Sequence, residues 1–100
     1  MTINLWVNGE EYVAHSEKTI GVENPATGKV VDQLALADKH CLDHVVEIAR
    51  EAQKEWARTA LAKRVDIMFK FRQLMIEHAD ELADIIVREG GKTHGDALGE

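Results

Sequence analysis

The stretch ALAKRVDIMFKFRQLMIEHADELADIIVRE, residues 60–89, carries more apolar surface at helical spacing than any other part of this sequence. At about 100° per residue, its apolar positions spread over well beyond half of a helix circumference. Those positions are Leu61, Val65, Ile67, Met68, Phe69, Phe71, Leu74, Met75, Ile76 and Ala79. The continuous polar strip consists of Lys63, Asp66, Lys70, Gln73 and Glu77. A helix with so wide an apolar arc needs cover from two sides, and the rest of the sequence offers one amphipathic helix and short strands. We therefore expect the chain to be part of a larger protein.

The composition limits the classes of function. The chain has 100 residues, of which 45% are apolar and 30% charged, with a formal net charge of −6. So acidic a chain lacks the basic surface that binds nucleic acid or an anionic membrane. No apolar run approaches the roughly 20 residues that span a bilayer, and the N-terminus does not resemble a signal peptide. The single cysteine, Cys41, cannot form an internal disulfide. We expect a cytoplasmic protein, or the mature form of an organellar one.

Two short β-hairpins are predicted over residues 1–36, with a bent pair of strands as the alternative for the second. The first turns at Asn8-Gly9, a dipeptide that tolerates positive φ at both turn positions. The second turns at Asn-Pro-Ala-Thr-Gly, residues 24–28, where proline presets the start of a turn and glycine permits its left-handed exit. The predicted strand pairs are Ile3–Val7 with Glu10–Ala14, and Thr19–Glu23 with Lys29–Leu36.

Three to four helices are predicted over residues 37–100. Asp38 is the expected N-cap of an amphipathic helix that runs from Lys39 to about Ala57. Its apolar face consists of Cys41, Leu42, Val45, Val46, Ile48, Ala49, Ala52 and Trp56. Thr59 is the expected cap of a second helix, over residues 60–79.

A third helix is predicted to begin with Asp80 as its N-cap and to stop at Gly90-Gly91. A single continuous helix over residues 61–89 is the alternative. Thr93 and Asp96 have the spacing of a capping box that opens a fourth helix, which is expected to run on to Glu100. The sequence thus predicts an α+β chain, with hairpins followed by helices.

His40, His44 and Glu47 are spaced so that all three side chains could face one metal ion from a helix. They lie on the predicted polar side, however, and do not form the HExxH pattern. We favour reading them as ordinary surface residues. Cys41 could be a nucleophile activated by a helix N-terminus, but its place on the apolar face favours a small buried core residue.

Arg64, Arg72 and His78 lie within or at the edge of the wide apolar arc, so each needs a partner or an exit to solvent. A reach to solvent, or a salt bridge to an acidic residue of a neighbouring helix, is favoured over a ligand contact. A phosphate loop is not predicted, because the glycines near the C-terminus follow no strand and lack the GxGxxG spacing. These glycines are Gly90, Gly91, Gly95 and Gly99. The aromatic residues Trp6, Tyr12 and Trp56 are too scattered to form a stacking platform.

Taken in order, several motifs resemble the beginning of the NAD(P)-dependent aldehyde dehydrogenase superfamily. They are Trp-Val-Asn-Gly at 6–9, Asn-Pro-Ala-Thr-Gly-Lys-Val at 24–30, a helix ending in Trp56, Arg64 in a Phe/Leu helix, Asp-Glu-Leu-Ala at 80–83 and Glu-Gly-Gly-Lys at 89–92. The last residues, GKTHGDALGE at 91–100, look like the GKTxxDAxGE pattern of the acylating methylmalonate-semialdehyde dehydrogenase group. Gly90 departs from the family, which more often has His or Gln there.

The resemblance implies an N-terminal part of an α/β enzyme. Residues 1–36 would be N-terminal hairpins and residues 37–100 an incomplete helical segment of the NAD-binding domain. The acylating methylmalonate-semialdehyde dehydrogenase group uses NAD and coenzyme A to convert methylmalonate or malonate semialdehyde into an acyl-CoA, in valine and myo-inositol breakdown. Its nucleophilic cysteine would lie beyond Glu100, so no catalytic, cofactor-binding or metal-binding residue is assigned here, and we expect this chain alone to be inactive with no cofactor bound. The expected partners are the rest of its own chain, an aldehyde substrate and further copies in a homo-oligomer.

Two other functions stay open from the sequence. One is a free-standing helical interaction module, whose wide apolar face binds a partner helix. The other is a related aldehyde dehydrogenase that acts by hydrolysis, with water in place of coenzyme A.

Overall fold

The computed structural model describes all residues from Met1 to Glu100. Five strands come first along the chain and four helices follow. The order of strands before helices is as predicted, but the sequence predicts four strands. The strands are β1 (Thr2–Ile3), β2 (Leu5–Val7), β3 (Glu10–Tyr12), β4 (Thr19–Asn24) and β5 (Lys29–Ala35), and the helices are α1 (Lys39–Arg58), α2 (Leu61–Glu77), α3 (Ala79–Gly90) and α4 (His94–Leu98). The predicted α+β class is confirmed. None of these helices has the length and apolar content needed to traverse a bilayer.

The first hairpin forms at the predicted turn. β2 and β3 pair antiparallel, with Val7 opposite Glu10. Asn8 and Gly9 have φ angles of 54° and 83°. Positive φ at both central residues is the type I′ geometry, whose twist matches that of the flanking strands.

The start of the chain differs from the prediction of one strand over Ile3–Val7. Thr2 and Ile3 form the separate strand β1, which pairs in parallel with β5 so that Thr2 lies opposite Gln33. A strand of two residues has no detectable period, and its parallel partner lies far along the sequence. The prediction therefore placed Ile3 in the first strand of the hairpin, whereas it belongs to β1. The second strand of that hairpin is also shorter than predicted, because β3 ends at Tyr12 rather than Ala14.

The second hairpin is confirmed. β4 and β5 are neighbours in a three-stranded sheet with the order β1-β5-β4. At the turn, the Asn24 side-chain oxygen accepts the Ala26 N–H at 2.9 Å. The Asn24 carbonyl oxygen accepts the Gly28 N–H at 2.8 Å, and Gly28 takes a φ of 66°. Asparagine and glycine thus close this turn by the chemistry that their positions predict.

The N-terminus of α1 is capped as predicted. The Asp38 carboxylate accepts the Cys41 N–H at 2.7 Å. The cap predicted at Thr59 is wrong, since Ala60 stands at the N-cap of α2 and gives no side-chain hydrogen bond. The first backbone bond of the helix runs from the Arg64 N–H to the Ala60 carbonyl, which places Thr59 one residue too early to cap.

The long apolar stretch is broken into two helices at His78. His78 has φ −105° and ψ 17°, outside helical values, and its N–H is shared between the Leu74 and Ile76 carbonyl oxygens. The continuous helix over residues 61–89 is therefore wrong. Asp80 is also wrong as an N-cap, because α3 begins at Ala79 and Asp80 lies in its first turn. In that turn the negative charge of the Asp80 carboxylate interacts favourably with the positive end of the helix dipole.

After this break, a glycine ends α3 and a threonine caps the start of α4. Gly91 takes the left-handed conformation at the C-cap of α3, with φ 68°. Thr93 caps α4 by accepting the Asp96 N–H at 3.3 Å. The Asp96 carboxylate accepts the Thr93 hydroxyl at 2.8 Å, a side-chain bond that replaces the second half of the predicted capping box. α4 ends at Leu98 and does not run on to Glu100 as predicted.

The chain divides into two compact units. The first comprises residues 1–22 and 32–58, and the second comprises residues 23–31 and 59–100. The buried apolar residues of the first unit are Val7, Ala14, Ala35 and Cys41, and those of the second are Ala83 and Ala97. Most of these side chains are small, so each unit has a slight core. The division into domains at residues 36 and 37 stays a prediction about the larger protein.

Candidate functional site

The largest unexplained feature is the apolar side of α2, which nothing in the chain covers. None of the residues of α2 is buried. The exposed fractions of its large apolar side chains run from 39% at Val65 to 69% at Leu61. We call this surface the α2 apolar face; it consists of Leu61, Val65, Ile67, Met68, Phe69, Phe71, Leu74, Met75 and Ile76. A contiguous patch of this kind is typical of a surface that binds something.

The sequence explains why the face is so wide. The polar residues of α2 fall in one strip, within which Gln73 donates to Glu77 at 2.9 Å. Apart from Arg64 and Arg72, the rest of the helix circumference is apolar, so a single neighbouring layer cannot cover it. The prediction that this helix needs cover from more than one side agrees with the absence of any buried residue in it.

Two arginines interrupt the α2 apolar face. Arg64 is half-buried, and its Nε atom is buried without a hydrogen-bond partner. Arg72 is exposed and lies beside Val65, Met68 and Phe69. The sequence predicted that each arginine reaches solvent or forms a salt bridge. Arg72 reaches solvent. The Arg64 Nε atom neither reaches solvent nor has a hydrogen-bond partner.

The C-terminal end of this face continues into an open groove of about 340 Å³. α3 and α4 pack together here, and both contribute to the lining. The lining residues are Met75, Ala79, Leu82, Ala83, Ile85, Ile86, Ala97, Leu98 and Glu100. Almost all of them are apolar, so the groove extends the uncovered apolar surface rather than forming a polar ligand site.

The histidine trio on α1 has other contacts. The His44 ring centroid lies 6.1 Å from that of Tyr12, and Glu47 pairs with Arg50 at 2.9 Å. His40 is exposed. The structure contains no group of three or more His, Cys, Asp or Glu side chains placed to hold a metal ion.

Cys41 is a core residue of α1, as favoured from the sequence. Its side chain is 1% exposed, so a substrate could not reach the thiol. The adjacent helix N-terminus offers no anion site either, because the Asp38 carboxylate already accepts the Cys41 N–H. This is the one place where a strand leads directly into a helix.

Two histidines, His78 and His94, contact carboxylates of α3. His78 Nδ1 lies 2.9 Å from Glu81 Oε2. His78 is the N-cap of α3 and Glu81 lies in the first turn of that helix, so the acidic partner is local and does not come from a separate neighbouring helix. His94 lies between two carboxylates of α3, with Nε2 3.4 Å from Asp80 and Nδ1 3.2 Å from Asp84. Sequence reasoning missed this second arrangement. The i, i+4 spacing of Asp80 and Asp84 was the available signal, because it places both carboxylates on one face of α3.

Two of the motifs that carry the family resemblance meet in the second unit. A β-carbon built onto Gly91 would lie 2.9 Å from Pro25 Cγ and 3.0 Å from the Ala26 nitrogen. The Asn-Pro-Ala-Thr-Gly turn therefore sits directly on the glycine that ends α3.

A model of the aldehyde dehydrogenase family matches residues 12–100. The chain belongs to this family. Among curated aldehyde dehydrogenases, malonate-semialdehyde dehydrogenase 2 of Oceanobacillus iheyensis is 41% identical over 98 residues, which are 98% of this chain and 20% of that protein. Malonate-semialdehyde dehydrogenase 1 of Geobacillus thermodenitrificans is 38% identical over 99 residues, 99% of this chain and 20% of that protein.

Solved aldehyde dehydrogenases have the same fold over this stretch. A Sinorhizobium meliloti protein assigned as a methylmalonate-semialdehyde dehydrogenase, in complex with NAD, superimposes with a TM-score of 0.95 and 36% identity, covering 99% of this chain and 20% of that one. Methylmalonate-semialdehyde dehydrogenase of Oceanimonas doudoroffii gives a TM-score of 0.92 and 37% identity, covering 98% and 20%. The chain thus spans about a fifth of the length of these relatives.

Proposed function

We propose that this chain is the N-terminal part of an NAD-dependent, coenzyme A-acylating aldehyde dehydrogenase that oxidises malonate or methylmalonate semialdehyde to acetyl-CoA or propionyl-CoA. The observation that carries the proposal is 41% identity to a malonate-semialdehyde dehydrogenase over almost the whole chain. The C-terminal GKTHGDALGE pattern at residues 91–100 supports the acylating group over hydrolytic relatives.

In this proposal the chain contributes structure rather than chemistry. NAD accepts the hydride and coenzyme A accepts the acyl group from a cysteine thioester that forms beyond residue 100. The α2 apolar face packs against the remainder of the same protein, which agrees with the absence of any buried residue in α2 here. Alone, the chain has no dehydrogenase activity, because its only cysteine is buried.

The proposal includes the setting of the enzyme. It acts as a homo-oligomer in the cytoplasm, in the breakdown of valine and myo-inositol, and takes a small aldehyde as its substrate. The malonate- and methylmalonate-semialdehyde dehydrogenases among its relatives support this substrate class.

The test is NADH formation by the full-length protein from malonate or methylmalonate semialdehyde, with and without coenzyme A. We expect turnover that depends on coenzyme A and yields an acyl-CoA product. Equal turnover in both conditions would contradict the acylating assignment and favour hydrolysis. No turnover of any aldehyde would contradict the enzyme assignment and favour an interaction module.

The matched control is Cys41→Ala. Because Cys41 is buried in α1, this variant should keep its activity in the full-length enzyme. Loss of activity with intact folding would contradict the placement of the nucleophile beyond residue 100.

A further inference from the structure

The starting observation is a charged group on the α2 apolar face that has no partner in this chain. Arg64 is half-buried, and its Nε atom is sealed from solvent without a hydrogen bond. A guanidinium stays charged at every physiological pH and has no accepting atom. The Nε atom is enclosed by atoms of this chain, so the terminal guanidinium nitrogens are the ones that a molecule covering the face would desolvate, and once covered they need an acceptor.

The residues one helical turn away cannot supply that acceptor. Positions three and four residues from Arg64 are Ala60, Leu61, Ile67 and Met68, which carry no carboxylate and no titratable group. The acidic residues of α2 are Asp66 and Glu77, and both belong to the polar strip. The acceptor has to come from the molecule that covers the face.

A second copy of this chain is a poor candidate for the cover. The face carries Arg64 and Arg72 and no acidic residue, so pairing it with itself would bring guanidinium groups together without a carboxylate. Like charges in a desolvated interface are strongly unfavourable. The relatives, in contrast, are about five times as long as this chain, which covers 20% of them. The rest of the same polypeptide is therefore the occupant that the charges and the relatives favour.

We propose that the surface covering the α2 apolar face belongs to the same full-length polypeptide and places a carboxylate against the Arg64 guanidinium, which makes Arg64 the specific anchor of an otherwise apolar interface. A carboxylate is favoured over a backbone carbonyl because a buried cation requires a counter-charge as well as an acceptor. The inference rests on the proposed function only in assuming that the longer protein exists.

The first test is the crystal structure of the full-length protein. The expected result is an Asp or Glu oxygen of the same polypeptide about 3 Å from the Arg64 guanidinium. A second subunit, solvent or a carbonyl oxygen alone in that place would overturn the proposal.

The second test compares thermal unfolding of full-length Arg64→Met, Arg64→Lys and Arg72→Met with that of the parent. Met keeps the length of the side chain without its charge, so Arg64→Met leaves the partner carboxylate buried and alone. We expect the unfolding midpoint to fall by about 5 °C or more at neutral pH. Arg64→Lys should recover part of the loss. Arg72→Met is the matched control: Arg72 has no buried polar atom without a partner, so the proposal assigns it no carboxylate and its variant should stay closer to the parent than Arg64→Met.

The pH dependence identifies the partner as an acid. An orphaned buried carboxylate has a raised pKa and takes up a proton as the pH falls, which removes its buried charge. The deficit of Arg64→Met relative to the parent should therefore shrink between pH 7 and pH 5.5. A deficit that does not change with pH, or equal effects of the Arg64 and Arg72 variants, would overturn the proposal. Dehydrogenase activity of the parent is assayed separately, so a failure of the proposed function leaves this comparison readable.

Discussion

The contact between Gly91 and the Asn-Pro-Ala-Thr-Gly turn gives a prediction in which two adjacent glycines respond in opposite ways. Gly91 has φ 68° and stands against Pro25 and Ala26, whereas a β-carbon on Gly90 would meet nothing within 4 Å. Gly91→Ala should destabilise the second unit, and Gly90→Ala should stabilise it.

The size of the effect follows from the geometry. A left-handed conformation costs a non-glycine residue about 1–2 kcal/mol. The new β-carbon would also lie 2.9 Å from Pro25 Cγ, well inside the usual contact distance of about 3.5–4 Å. Overpacking of this kind costs about 1–3 kcal/mol. Gly91→Ala should therefore lower the free energy of unfolding by about 2–5 kcal/mol.

Gly90→Ala is the matched control, since Gly90 is the last residue of α3. Replacing a helical glycine by alanine gains about 0.5–1 kcal/mol. The two variants should thus differ in their free energies of unfolding by at least about 2.5 kcal/mol, although they add the same methyl group one residue apart.

The assay is urea unfolding of the 100-residue chain, followed by circular dichroism at low protein concentration because the α2 apolar face favours association. The double variant Gly91→Ala/Pro25→Ala should recover part of the loss, since it removes the Cγ contact but not the strained φ. Equal stability of the Gly90 and Gly91 variants would refute the reasoning. The reasoning would also be refuted if Gly91→Ala had the same free energy of unfolding as the parent and the same dependence of that free energy on urea concentration.

Three further predictions concern the caps and the buried thiol. Asp38→Ala should lower the free energy of unfolding in urea by about 1 kcal/mol. Asp38→Asn should lower it less, because the amide oxygen can still accept the Cys41 N–H. Equal losses in the two variants would argue against the cap. Thr93→Ala should speed amide hydrogen exchange of Asp96 in α4 with little change in α1, and a uniform change would contradict a local role. Cys41 should react with a thiol reagent at the rate of unfolding, because the side chain is 1% exposed; rapid reaction of the native chain would contradict its burial.

Local signals in the sequence were sufficient to predict much of the fold. Asn8-Gly9, the turn at residues 24–28 and the Asp38 cap all appear where expected, because each depends on the chemistry of a few neighbouring residues. Gly91 ends α3 for the same reason.

The errors arose where the outcome depends on distant or finely balanced contacts. The parallel pairing of Thr2 with Gln33 joins residues far apart in sequence, and no local pattern encodes it. At the start of α2, threonine propensity suggested Thr59 as the cap, but the backbone begins the helix one residue later. The break between α2 and α3 was predicted about two residues too late, at Asp80 instead of His78, because the apolar period continues through it. Capping propensity is a weak preference that surrounding contacts override.

The candidate site was predicted in outline and missed in detail. The width of the α2 apolar face is a property of helical spacing, so the sequence was enough to predict that the face needs cover. The buried Nε of Arg64 and the place of His94 between two carboxylates depend on three-dimensional packing. Spacing alone could place these residues on a face, but it could not identify which of them lack a partner.

The most direct test of the central claim is hydroxyl-radical footprinting of α2 in this chain and in the full-length protein. Met68, Phe69 and Met75 are exposed here and carry oxidisable side chains. The account predicts strong oxidation in the 100-residue chain and marked protection in the full-length protein, with Lys70 on the polar strip equally reactive to acetylation in both. Equal oxidation of the three residues in the two proteins would show that the rest of the polypeptide does not cover the α2 apolar face, and would contradict the account.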